Sequence, residues 1–187
     1  MKVGINRFRK VFYEESQTTE RGVSSVSVTK KIALASILVA LTVALSGFHI
    51  PIGTTKVFPA QHMVNGIAGV LLGPWWASVM ALGTGTIRNI FGLGTLYAYP
   101  GGIPGALVVG LIHRYFKETD LAALSEPLGT VVIGATLSAL ILAPFQGHNL
   151  TMWFFWSAFA ASSIPGAILG YIVLKTLRRL KVIEMVL

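Results

Sequence analysis

Cysteine does not occur among the 187 residues, which excludes disulfides, iron–sulfur clusters and thiolate catalysis. Charge is scarce too: Asp, Glu, Lys and Arg make up 12% of the chain, against about 25% in a soluble domain. Seven residues are acidic, against fifteen Lys and Arg. There is no Walker motif. Gly83–Arg88 is glycine-rich but lacks the lysine of a phosphate-binding loop. No Ser/His pair has the spacing of a nucleophile and its base, so an intramembrane enzyme acting on a lipid-linked substrate has little support.

Apolar residues fill the space that charge leaves. They form 53% of the chain, and mean hydropathy is +0.71. Such a chain cannot cover its apolar side chains with its own polar surface, so lipid must cover them. The net charge of +8 sits at the ends of apolar runs and in the tails, where membrane topology puts it. A nucleic-acid partner is therefore not expected.

The apolar runs predict six helices, over about Ile32–Gly47, Pro59–Leu72, Trp75–Phe91, Gly101–Phe116, Glu126–Phe145 and Thr151–Leu177. The expected fold class is an all-α integral membrane bundle with short, discontinuous helices. Several runs fall below the roughly 20 residues that cross a bilayer squarely, which is tolerated where irregular backbone lines a cavity. Residues 1–30 are expected to form a basic cytosolic tail, with a short interfacial helix near Arg7–Tyr13, and residues 181–187 a C-terminal tail. The first apolar run is read as a helix and not as a cleaved leader. Seven Lys and Arg precede it. Arg114 and Lys117 follow the fourth helix, and Lys175, Arg178, Arg179 and Lys181 end the sixth. Six spans put all three groups on one side, which the positive-inside rule makes cytosolic.

That topology gathers uncharged and basic hydrogen-bonding groups on the outer side. The first outer loop carries His49 and Lys56, and the second helix opens with Gln61, His62 and Asn65. The third helix ends with Arg88 and Asn89. A glycine-rich loop holds Tyr97 and Tyr99, and the last outer loop and its helix hold His148, Trp153 and Trp156. His62 and Asn65 stand three apart and share a face. Polar groups at membrane depth are costly and normally face a cavity or a partner. The Gly and Pro around Tyr97 and Tyr99 suit a loop that folds inward and offers flat faces to a planar ring. Trp153 and Trp156 also suit an interfacial aromatic belt. All seven carboxylates (Glu14, Glu15, Glu20, Glu118, Asp120, Glu126 and Glu184) fall on the cytosolic side. A cation would need an opposing carboxylate, so the expected ligand is neutral or anionic. The histidines have no metal-site spacing, and no metal is expected.

On the first helix Ser36, Ala40 and Ala44 recur every four residues, with Ala33 one turn before. A stripe of small residues lets another helix approach closely, in the same bundle or in a separate subunit. No charged relay lies mid-span, and the chain is short for a complete two-repeat transporter. A ligand-binding subunit driven by partners fits better, and a purely structural subunit is the remaining alternative.

Four runs carry a resemblance to a known family. They are Phe58-Pro-Ala-Gln-His-Met-Val-Asn65, Leu72-Gly-Pro-Trp75, Arg88-Asn89 with Gly92–Thr95, and Tyr99-Pro-Gly-Gly102. Over about Lys31–Leu177 the chain resembles a ThiW-type substrate-binding (S) component of an energy-coupling factor (ECF) transporter. The resemblance implies six helices in a prokaryotic cell membrane and a first outer loop acting as a lid. It also implies docking through the first helix onto a transmembrane coupling subunit, with ATP used by two cytosolic ATPase partners and no cofactor in this chain. The implied ligand is hydroxyethylthiazole, a thiamine precursor, with another vitamin precursor such as hydroxymethylpyrimidine as the alternative. The family's Ala-xxx-Ala pattern is matched by Ala40 and Ala44, whereas the pair nearer the cytosol begins with Ser36.

Overall fold

The computed structural model describes residues 26–52, 55–116 and 119–186. The expected interfacial helix near Arg7–Tyr13, most of the basic tail, Lys117 and Glu118 lie outside the described residues. Helix α1 spans Val28–Ala44, and a 3-10 turn at Leu45–Gly47 closes it. A hairpin of β1 (Ile50–Ile52) and β2 (Thr55–Val57) follows, antiparallel, with Pro51 opposite Lys56. Next come α2 (Pro59–Leu72), α3 (Pro74–Ile90) and α4 (Ala98–Tyr115). A composite helix, α5, covers Asp120–Phe145. It opens as a 3-10 turn and continues through two π-helical stretches, Leu128–Ala135 and Ser138–Leu142. Helix α6 spans Met152–Arg179, and the short α7 spans Val182–Val186.

Local chemistry explains the boundaries. The Ser27 side chain accepts from the Lys30 amide at 3.3 Å, so α1 starts four residues before its apolar run. Gly73 lies between two helices at φ 81°, which a residue with a Cβ tolerates poorly, and Pro74 then starts α3 at a position where its missing N–H costs nothing. At the far end of α3 the amides of Leu93 and Gly94 both donate to the Arg88 carbonyl, at 2.8 and 3.0 Å. That closure ends the helix and turns the chain back toward α4.

The bundle is helical as expected, and the first loop adds a short two-stranded hairpin. Four expected bounds are corrected. Helix α1 begins at Val28, so the last three residues of the expected tail are helical. Helix α4 begins at Ala98, so Tyr99 is helical and Tyr97 caps it, where an inward-folding loop was expected. Helix α5 begins at Asp120, six residues before the expected start, because Thr119 caps the turn by accepting from the Leu121 amide. Helix α6 continues to Arg179, beyond the end of its apolar run.

Helix α2 is the centre of the bundle, packed against α3, α4 and α6, with most of its residues buried. One core cluster surrounds Val64, Ile67, Ala68, Ala77, Val109 and Leu174. A second, toward the hairpin end, joins Tyr97, Phe155 and Phe159 to the small residues Ala135, Ala139 and Ala143. The periphery is apolar instead of polar: Ile37, Val79, Leu140 and Ile141 are all exposed. Lipid is the solvent that such a surface matches. Among the described residues, three helical segments are long and apolar enough to cross a bilayer: Val28–Gly47, Asp120–Phe145 and Met152–Arg179. The remaining bundle helices have 14, 17 and 18 residues.

Candidate binding site

A small cavity lies beneath the hairpin, where α2, α3, α4 and α6 converge. Its polar lining is Lys56, Gln61, His62, Arg88, Thr95 and Ser162. Its apolar lining is Phe58, Tyr97, Ala98, Gly101, Ala158 and Phe159. The volume is about 40 Å³, room for about three waters. A substituted heteroaromatic ring is several times larger, so a ligand of that class enters only if the hairpin or the Phe58 and Arg88 side chains give way.

Arg88 is 3% exposed and dominates the cavity. It donates through one terminal nitrogen to Gln61 Oε1 and through the other to the Leu93 carbonyl at 3.5 Å. Its guanidinium carbon lies 4.1 Å from the centre of the Phe58 ring, a cation–π contact. Gln61 is held in turn by the Ala98 carbonyl at 3.4 Å. Phe58 is fixed by its amide, which donates to Ser162 Oγ at 2.7 Å across the bundle. Lys56, on β2, donates to the carbonyls of Gly92 and Leu93, both at 3.4 Å, and so ties the hairpin to the turn after α3.

The floor departs from expectation. The carboxylates were expected to stay on the opposite face, but Glu126 is fully buried inside the bundle. Its Oε1 accepts from His62 Nδ1 at 2.7 Å and from Asn65 Nδ2 at 3.4 Å, and lies 2.7 Å from Thr130 Oγ1. The reason is the longer helix: Glu126 stands six residues inside α5, about 10 Å along the axis, and not at its mouth. Gly105 makes the approach possible, because a Cβ there would collide with both Glu126 and Thr130. His62 thus meets the carboxylate through Nδ1, while its ring lines the cavity. The exclusion of cationic ligands for want of a carboxylate is weakened accordingly.

Of the residues singled out from the sequence, Lys56, Gln61, His62, Arg88 and Tyr97 meet at the cavity. Others stand behind it. Asn65 is buried below and donates to the Gly102 carbonyl at 3.1 Å. Asn89 braces the turn through the carbonyls of Gly85 and Thr95. His148 meets the Tyr97 hydroxyl through Nδ1 at 3.0 Å, while the Tyr97 ring packs 5.0 Å from Phe155. The rest lie outside the lining. His49 bonds the Ser46 carbonyl at 2.9 Å. Tyr99 points to Thr86. Trp156 donates to Thr136, and Trp153 is 75% exposed and packs edge-on against Trp156. Sequence reasoning missed Glu126, Thr95 and the α6 residues Ala158, Phe159 and Ser162. The small residues of α6 were visible only as a packing signal.

A second, apolar groove of about 710 Å³ runs along the outside between α1 and α3. Ser36, Ala40 and Ala44 line one wall, and Trp76, Val79 and Gly83 the other. Ala33 is exposed but lies off the groove.

Comparison with known proteins finds a match to a family model described as thiamine-precursor transporter protein (ThiW), over residues 32–180. A search of curated proteins finds no match.

Proposed function

The chain belongs to the ThiW family of thiamine-precursor transporters, and from that membership we propose that it is the substrate-binding S component of an ECF transporter that takes up hydroxyethylthiazole. The family is one of membrane transporters, not of enzymes. In this reading six helices span the cell membrane of a prokaryote, both termini are cytosolic, and the hairpin end faces outward. The basic tail of residues 1–30, the bundle of residues 31–180 and the tail of residues 181–187 are its three parts.

The observation that carries the proposal is the cavity under the hairpin. Tyr97, Phe58 and Phe159 supply aromatic faces, and His62, Gln61 and Ser162 supply hydrogen-bonding groups. This is the mixture that orients a small planar ring with one nitrogen and one hydroxyl. The hairpin acts as the lid. The exposed stripe of Ser36, Ala40 and Ala44 supports docking of a transmembrane coupling subunit on α1, with ATP consumed by two cytosolic ATPases bound to that subunit. Equilibrium binding of labelled hydroxyethylthiazole to the purified chain, without ATP, tests the reading. Saturable binding is expected, and its absence would overturn the ligand assignment. A competition panel that includes hydroxymethylpyrimidine separates this ligand from the other vitamin precursor.

A further inference from the structure

We propose that the site takes the ligand as an anion, a phosphate monoester of the hydroxyethyl arm in preference to the free alcohol. This rests on the thiazole-binding reading and narrows it.

Two cations meet at the cavity with no counter-ion among the described residues. Arg88 and Lys56 both donate to the Leu93 carbonyl, at 3.5 and 3.4 Å, so their nitrogens lie within about 7 Å of each other. The side chains that face a carboxylate within 4.0 Å among the described residues are His62 at Glu126 and Arg178 at Asp120. Neither involves Arg88 or Lys56. A guanidinium has five N–H donors. Here one serves Gln61, one serves Leu93, and Nε is buried with no partner among the described residues. Lys56 has three donors and two acceptors, both at long range.

A neutral alcohol would leave this arrangement uncompensated. Its single oxygen satisfies at most a donor or two and supplies no charge, and a buried cation without an anion is costly. A phosphate monoester supplies both. Its oxygens match the planar fork of arginine, with a point-charge lysine beside it. The remaining lining also suits this ligand. The aromatic faces of Phe58 and Tyr97 would take the ring. Glu126 is not part of the lining and already accepts from His62, so it repels the phosphate less than a carboxylate in the cavity wall would.

The test is equilibrium binding to the full chain in nanodiscs. The probes are hydroxyethylthiazole, its monophosphate and inorganic phosphate, each measured with the wild type, Lys56→Gln and Arg88→Lys. The monophosphate should bind at least tenfold more tightly than the alcohol, and excess inorganic phosphate should displace the ester more readily than the alcohol. Lys56→Gln should lower ester affinity at least fivefold more than alcohol affinity. That residue sits on the hairpin, outside the core, so the bundle should remain folded. Arg88→Lys keeps the charge but loses the fork, and should cost the ester more than the alcohol. Equal binding of the two thiazole forms, or tighter binding of the alcohol, would overturn the anion preference and leave the thiazole reading standing. Failure of both forms to bind would overturn both.

Discussion

Glu126 offers the sharpest test of how the site is built. Glu126→Leu keeps the volume near that of the native side chain but removes the acceptor. His62 Nδ1 loses its 2.7 Å partner, and Asn65 loses one of its two. Both residues are buried, so water does not replace what is lost. Hydrogen bonds to a charged group contribute about 1.5–3 kcal/mol each, and stripping one member from a buried pair costs about 3–5 kcal/mol. The variant should therefore lose about 4 kcal/mol. At roughly 2–4 °C per kcal/mol for a chain of this size, its melting temperature should fall by about 10 °C. Glu126→Gln retains an acceptor for His62 and should lose less, about 1–2 kcal/mol. Thermal unfolding of the three proteins in one detergent, followed by intrinsic fluorescence, should give the order native, Gln, Leu. Ligand affinity should follow the same order, because the bond to Nδ1 fixes the His62 ring. A leucine variant melting within about 2 °C of native would refute the idea that this carboxylate anchors the floor.

Three further outcomes follow from the same geometry. Tyr97→Phe keeps the packing on Phe155 but removes the hydroxyl that meets His148. It should cost about 1 kcal/mol and speed ligand release severalfold in a stopped-flow chase. Ala40→Leu on α1 should leave ligand binding to the isolated chain intact and abolish uptake in cells that also express an ECF module, since it fills the exposed small-residue stripe. Normal uptake would remove α1 as the docking face. Arg178→Ala breaks the pair with Asp120, yet the Arg178 side chain is 46% exposed. The loss should stay below about 1 kcal/mol, visible as a melting shift of a few degrees at most.

The sequence was most legible where one residue type settles a local conformation. The Gly73-Pro74 corner, the helix start at Pro59 and the apolar runs could all be read directly. Five residues that line the cavity, Lys56, Gln61, His62, Arg88 and Tyr97, stood out as polar or aromatic groups at one predicted membrane boundary. Glu126 did not, because its position was judged from the apolar run alone. The 3-10 turn at Asp120–Ser125 places it well inside the bundle, and the missing side chain at Gly105 makes room for it. The π-helical stretches of α5 also shift which residues face inward, so a 3.6-residue period cannot assign that face. Ser162 and Phe159 escaped notice because their contact with the site spans about a hundred residues of chain, as in the bond from Phe58 to Ser162. The tryptophans stand apart from the cavity lining, and the packing of Trp153 on Trp156 suits the alternative read from the sequence, an interfacial aromatic belt.

An outward-opening cavity that a thiamine precursor fills can be probed directly. Because the native chain has no cysteine, Thr95→Cys puts a single thiol in the cavity wall. Its reaction with a membrane-impermeant reagent can be followed on intact cells, with and without hydroxyethylthiazole or its monophosphate. Labelling from outside is expected, and saturating ligand should suppress it by tenfold or more. Labelling only after the membrane is breached, or labelling from outside that neither ligand slows, would contradict it.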